Sequence, residues 1–176
     1  MNLLDEHTKS SPNSPIELVL YGDYQCPFCR EAFLMMNRLE KDFNRDFFYV
    51  YRNFPLVELH PDSWNASKAA EAAALQNRFW DMHELLYLYQ DDLSEVALFD
   101  YAERLGLDMN LFYRDYESEE VAVKIHGDFI EGFRKGVSGT PTVYINNRAI
   151  AWDGSYEMLH STMVRLRIDH EQSFDR

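Results

Sequence analysis

Apolar and polar positions along the chain change period several times, and each change marks an element. Ile16, Leu18 and Leu20 alternate with Glu17, Val19 and Tyr21, which predicts a strand. From Ala32 the apolar residues recur at helical spacing through Met35, Met36, Leu39 and Phe43, so a helix follows directly. Phe47, Phe48, Tyr49, Val50 and Tyr51 form an aromatic and β-branched run within 46–52, a second strand. Strand, helix, strand of this length is a βαβ unit, which predicts two parallel strands.

A long helical tract comes next, opened by Pro61-Asp62-Ser63. Ala66, Ala69, Ala70 and Ala72 to Ala74 give it high helix propensity and a thin face. Further stripes carry Met82, Leu85, Leu86 and Tyr89, then Leu98, Tyr101, Ala102 and Leu105 up to Gly106, then Ala122, Ile125, Phe129 and Phe133 up to Gly136. All are expected to face a core. After Gly136 the period returns to two. Thr142 to Ile145, the Asn146-Asn147 pair and Arg148 to Trp152 read as a β-hairpin. Ser155 can cap a last helix with Leu159, Met163 and Leu166 on its buried side. Residues 1–15 are polar and read as a mobile arm, and 171–176 as a frayed tail.

Charge narrows the partners. A net charge of -13 argues against nucleic acid and against an anionic membrane surface. No apolar segment reaches membrane-spanning length. The first residues, Met1 to His7, show neither a basic nor an apolar leader region. The expectation is a cytoplasmic protein if Met1 is the natural start, and a periplasmic one if a leader has been removed.

Candidate chemistry lies at the first strand–helix junction, Gly22-Asp23-Tyr24-Gln25-Cys26-Pro27-Phe28-Cys29-Arg30, which holds both cysteines. Pro27 suits the first helical position. Cys26 then meets free N–H groups and the positive helix end, which favour a thiolate. Cys29 lies one turn on and is expected to be covered, whereas Cys26 is expected to be exposed. A structural disulfide would close too short a loop to stabilise much. A zinc site needs further ligands, and His60, His83, His126 and His160 are scattered. Thiol–disulfide exchange, with protein or small-molecule thiols, is the better reading. Asp23 could pass a proton to Cys29, although an ordinary loop aspartate is the plainer reading. His60 reads as a turn and helix entry, and His83 as a satisfied core or surface residue.

A second signal is Gly139-Thr140-Pro141-Thr142, running into the later strand. With the cysteine pair, with His60-Pro61 through Ala74, and with Phe79-Trp80-Asp81-Met82-His83, it resembles the DsbA-like thiol–disulfide oxidoreductases of the thioredoxin superfamily. The resemblance spans roughly residues 16–170 and implies an α/β, thioredoxin-like fold with an inserted all-helical domain. The core would be 16–60 and 136–170, and the insertion 61–135. It implies Cys26 as the attacking sulfur and Cys29 as the resolving one. Pro27 and Phe28 would support the site. Thr140 would offer backbone to an extended substrate, and Pro141, in a cis peptide, would lie against the sulfurs and keep them from metal. No cofactor and no metal are implied. Partners would be thiol- or disulfide-containing proteins or peptides and an electron-exchange partner.

Two departures bear on chemistry. Phe28 stands where the best-known oxidase has histidine, which predicts a Cys26 acidity between that of a free thiol and that of the strongest oxidases, and a less oxidising potential. Leu20 stands where thioredoxins bury an acid. Two alternatives remain: a redox-sensing or partner-binding module without turnover, and a glutathione-dependent transferase or isomerase on the same core, which Cys29 argues against.

Overall fold

The computed structural model describes residues 7–10, 14–43 and 46–174. Five strands, β1 (His7–Ser10), β2 (Glu17–Gly22), β3 (Phe48–Asn53), β4 (Thr142–Ile145) and β5 (Arg148–Ala149), form one sheet in the order β1-β3-β2-β4-β5. β2 and β3 are parallel, with Glu17 opposite Phe48 and Gly22 opposite Asn53, and the remaining pairs are antiparallel. Helix α1 (Pro27–Asp42) makes the β2-to-β3 crossover. Five helices fill the span between β3 and β4: α2 (Ser63–Ala74), α3 (Phe79–Leu88), α4 (Glu95–Arg104), α5 (Met109–Tyr116) and α6 (Glu119–Lys135). Helix α7 (Tyr156–Phe174) closes the chain.

Central position makes β2 apolar on both faces. Leu18 and Leu20 join the main core with Met36 and Leu39 of α1, Leu159 and Met163 of α7, and the alanines of α2. Val19 and Tyr21 join a smaller cluster with Val50, Phe54, Val137 and Tyr144, against which Phe129 of α6 packs. Each fully buried large side chain contributes about 1.5–3 kcal/mol, so the sheet is held from both sides.

Local expectations change in several places. His7–Ser10 fall within the expected mobile arm, yet they form an edge strand antiparallel to β3. Side chains of the helical insertion hold it. The His7 ring stacks on Phe79 at 3.4 Å and bonds Glu71 at 2.8 Å, and Trp80 Nε1–H donates to Thr8 O at 3.1 Å. The rest of that arm, 1–6 and 11–13, lies outside the described residues apart from Ser14 and Pro15. Helix α7 continues through Phe174, past the expected fraying at 171, and 175–176 lie outside the described residues. Tyr89, stacked on Tyr101, is 47% exposed where a core position was expected. Phe133 was also expected in the core, but it is 70% exposed. The reason is Gly132, where a Cβ would stand 2.8 Å from the Tyr21 ring. Helix α6 meets the sheet through that glycine, and its neighbour turns outward.

The other boundaries follow from caps. Gly136 ends α6 at φ 91, a left-handed conformation that suits glycine. Asn146 and Asn147 have φ 47 and 62 in the β4–β5 turn. β5 is shorter than expected and stops at Ala149. Helix α5 carried no expectation. Asp108 caps it by accepting from Asn110 N–H and Leu111 N–H, and Phe112 and Tyr116 are its buried anchors.

Candidate active site

Cys26 is the N-cap of α1, at φ -76 and ψ 120, with Pro27 as the first helical residue. The extended N-cap backbone lets the side chain fold back over the free N–H groups of the first turn. Both cysteines are free thiols, and both are buried, Cys26 at 3% exposure and Cys29 at 0%. The expected exposed Cys26 is therefore corrected. It sits under the 139–142 loop, and its thiol donates to Thr140 O at 3.4 Å.

The two sulfurs differ strongly in acidity. Cys26 is lowered to about 6, first by a hydrogen bond from the Cys29 side chain. Burial opposes this shift, while Thr140 and the backbone N–H groups of Cys29 and Phe28 reinforce it. Cys29 moves well above the ordinary thiol value, first because it is buried and then because it bonds Cys26. Its sulfur accepts from Asp23 N–H at 3.4 Å. An acidic sulfur beside a neutral, covered thiol is the asymmetry that exchange chemistry needs.

The Thr140–Pro141 peptide is cis, and Thr142 Oγ1–H donates to Gly139 O at 2.7 Å, tying that loop together. Phe28 projects into solvent at 64% exposure. Beside it lies a cleft of about 250 Å³ lined by Phe28, Glu31, Pro141, Trp152, Asp153 and Gly154. So the structure brings together Cys26, Cys29, Pro27, Phe28, Thr140 and Pro141. Among the described residues, no group of three or more His, Cys, Asp or Glu could hold a metal ion.

Residues from the 54–62 segment and the helical insertion grip the loop before Cys26. Asp23 is fully buried, and its carboxylate accepts from Gln25 N–H and Leu56 N–H, each at 2.8 Å, and from His60 Nδ1–H at 2.9 Å. Tyr24 OH bonds His83 Nδ1 at 3.0 Å. Gln25 Nε2–H donates to Asp62 Oδ2 at 2.9 Å, and Gln25 Oε1 accepts from Asp62 N–H at 2.7 Å. Gln90 Nε2–H donates to Tyr24 O at 2.7 Å and to Cys26 O at 2.9 Å. Sequence reasoning read Asp23 as an ordinary loop aspartate or a proton relay to Cys29, where the structure makes it a buried acceptor for Leu56 and His60, and it noted His60 and His83 without joining them to that loop. It gave Asp62 only a helix start and passed over Gln90.

A five-stranded α/β sheet with a helical insertion, a strand–CxxC–helix junction and a cis X–Pro loop against it defines a thioredoxin-fold thiol–disulfide oxidoreductase class. A family model described as thioredoxin matches residues 4–164, and the chain belongs to that family, in its DsbA-like group. It is similar to a thioredoxin-like oxidoreductase from Silicibacter pomeroyi DSS-3, with TM-score 0.82, 26% identity and 92% of each chain covered. It is also similar in fold to the thiol-disulfide exchange protein alpha-DsbA2 from Wolbachia pipientis, with TM-score 0.81, 21% identity, and 92% of this chain and 87% of that one covered. By sequence it is 36% identical, over 81% of its length, to a protein of Mycolicibacterium gilvum named Na(+)/H(+) antiporter NhaA 1. The chain covers 24% of that relative and about a quarter of the other curated relatives it matches. Among the described residues, no helix is long and apolar enough to cross a membrane.

Proposed function

We propose that the chain exchanges disulfides with protein or peptide thiols through Cys26-Pro27-Phe28-Cys29. The observation that carries this reading is the placement of the Cys26 sulfur at the helix N-terminus beside cis Thr140-Pro141, with Cys29 one turn behind it, a setting that lowers the first thiol and raises the second. In the reducing direction, Cys26 thiolate attacks one sulfur of a substrate disulfide. That bond breaks, the departing thiolate takes a proton, and a mixed disulfide forms. Cys29 then loses its proton and attacks Cys26, releasing the second substrate thiol. Two electrons have passed to substrate, and an external dithiol must reduce the Cys26–Cys29 bond again. The oxidising direction runs the same bonds in reverse. Nothing in either sequence requires a bound cofactor or metal.

Pro27 sets the helix start, Phe28 forms one wall of the cleft, and Thr140 offers backbone to an extended substrate across Pro141. Residues 16–60 and 136–170 act as the thioredoxin-like core, and 61–135 as the helical insertion. Cys26 is lowered to about 6, well above the ~3.5 of the strongest oxidase, which supports a less oxidising potential than that enzyme's.

The test is insulin reduction with dithiothreitol. Wild type turns over and Cys26→Ala does not; full activity in Cys26→Ala overturns the reading. A glutathione redox titration then fixes direction. The antiporter relatives favour one reading of the partner, a membrane cation/proton antiporter. Cys29→Ala should trap it as a mixed disulfide at Cys26, and capture of other proteins alone overturns that part.

A further inference from the structure

Gln90 sits in the turn after α3, half-buried and 64 residues from Cys26. Both of its acceptors are carbonyls, which can only accept, so the amide nitrogen must face them. Tyr24 O and Cys26 O are the carbonyls on either side of Gln25, and one carboxamide fixes both. Cys26 O also accepts from Cys29 N–H at 3.0 Å and Arg30 N–H at 3.4 Å, the bonds that start α1. The Cys26 carbonyl therefore bonds both Gln90 and the first helical turn. Its orientation decides whether the sulfur lies over the N–H groups of Phe28 and Cys29.

We propose that Gln90 is a positioning residue for Cys26, through which the helical insertion holds the sulfur in register with the helix N-terminus. This rests on the functional reading above, and it makes the insertion a determinant of redox poise as well as a packing unit. Without the two donors Tyr24 O must find water and Cys26 O keeps only its helical donors, so the N-cap backbone relaxes and the sulfur loses backbone N–H groups that favour its thiolate.

The measurement is Cys26 alkylation against pH on the full chain, in high salt to screen added charge. Gln90→Met keeps the length and removes the donors. Its Cys26 midpoint should rise by about one unit, a tenfold change in thiolate ratio. The equilibrium with glutathione at pH 7 should then shift about fivefold toward the protein disulfide, or ~20 mV at ~30 mV per tenfold. Gln90→Lys restores donors to both carbonyls and should restore the midpoint.

Gln76 supplies the control. It clamps backbone in the same way, donating to Asp108 O and accepting from Asp108 N–H, within the insertion. Gln76→Met should lower the melting temperature and leave the Cys26 midpoint alone. A folded Gln90→Met with the wild-type midpoint overturns the proposal, as does an equal shift in Gln76→Met. If Gln90→Met does not fold, Gln90→Ala is read in the same way against Gln90→Lys, and equal midpoints overturn it. An ordinary midpoint in wild type would instead overturn the functional reading itself.

Discussion

On the side facing the helical insertion, the cysteine loop is bonded residue by residue: Asp23 to Leu56 and His60, Tyr24 to His83, Gln25 to Asp62, and the Cys26 carbonyl to Gln90. Toward Pro141 and Trp152 an open cleft lies beside the exposed Phe28, with Glu31 and Asp153 on its rim. One flank is closed by directional bonds with few spare groups. The other offers apolar surface, carboxylates and unhurried space. The difference teaches a division of labour. Changes on the closed flank should alter the chemistry of the sulfurs and the stability of the fold. Changes on the open flank should alter which substrates are handled.

The largest effect belongs to the sulfurs between the two flanks. Cys26→Ala should bring insulin reduction down to the uncatalysed background. Cys29→Ala should also stop turnover, but it should accumulate a Cys26 mixed disulfide, visible as a mass adduct. If Cys29→Ala gave no adduct while Cys26→Ala did, the assignment of attacking and resolving sulfurs would be reversed.

Asp23→Ala comes next. It leaves two N–H groups and the His60 ring without their buried acceptor. The expected loss is about 2–4 kcal/mol, a drop of roughly 5–15 °C in the thermal midpoint of a chain this size. Glu31→Ala, on the opposite flank, should stay within about 0.5 kcal/mol. Equal losses in the two variants would erase the contrast.

The pH dependence has a definite sign. Cys26 is lowered on folding from ~8.5 in an unfolded chain to about 6. A lowered acid stabilises the fold fully above the unfolded value, and the contribution fades as pH falls through the folded one. The reduced wild type should therefore gain stability over Cys26→Ser between roughly pH 6 and 8.5, at most ~1.4 kcal/mol per unit. Cys29, raised by burial, acts oppositely, but only once unfolded thiols ionise above that window. Urea melts of both proteins across that range, kept reduced, provide the check. A flat difference would mean that Cys26 is not acidic in the fold.

How much of this was legible depends on where the information sits. Cys26, Pro27, Cys29 and Thr140-Pro141 announce themselves because each uses a rare residue at a fixed local spacing. The sheet followed from alternation in 16–21, from the aromatic and β-branched run in 46–52 and from the Asn146-Asn147 turn. The grip on the loop was not legible: Gln90 and Asp62 are ordinary polar residues, and their meaning lies in carbonyls and amides 64 and 37 positions away. The strand at His7–Ser10 was hidden for a related reason. Its sequence, His-Thr-Lys-Ser, has no apolar alternation, and Glu71, Phe79 and Trp80 supply what holds it. Phe133 misled because a helical stripe gives period but not phase, and Gly132 sets the phase of α6 against Tyr21.

The smallest expected effect sharpens the open flank. The cleft residues include two carboxylates, Glu31 and Asp153, and no cation. Asp153 is held in place, because its Oδ1 accepts from Ser155 N–H at 2.8 Å and from Ser155 Oγ–H at 2.6 Å, and its acidity is increased by those bonds. The Phe28 and Trp152 rings can cover the aliphatic stem of a lysine or arginine whose head group faces the carboxylates. A peptide disulfide with lysine beside its cysteine should therefore be reduced faster than its glutamate counterpart. Exposed ion pairs of about 0.2–1 kcal/mol correspond to a preference of roughly 1.5–5-fold in kcat/KM. Glu31→Lys should cancel or invert that preference while leaving the Cys26 alkylation midpoint within a few tenths of a unit, and added salt should flatten it. A preference that survives Glu31→Lys and high salt would place substrate selection outside this cleft, and the contrast between a holding flank and a receiving one would lose its second half.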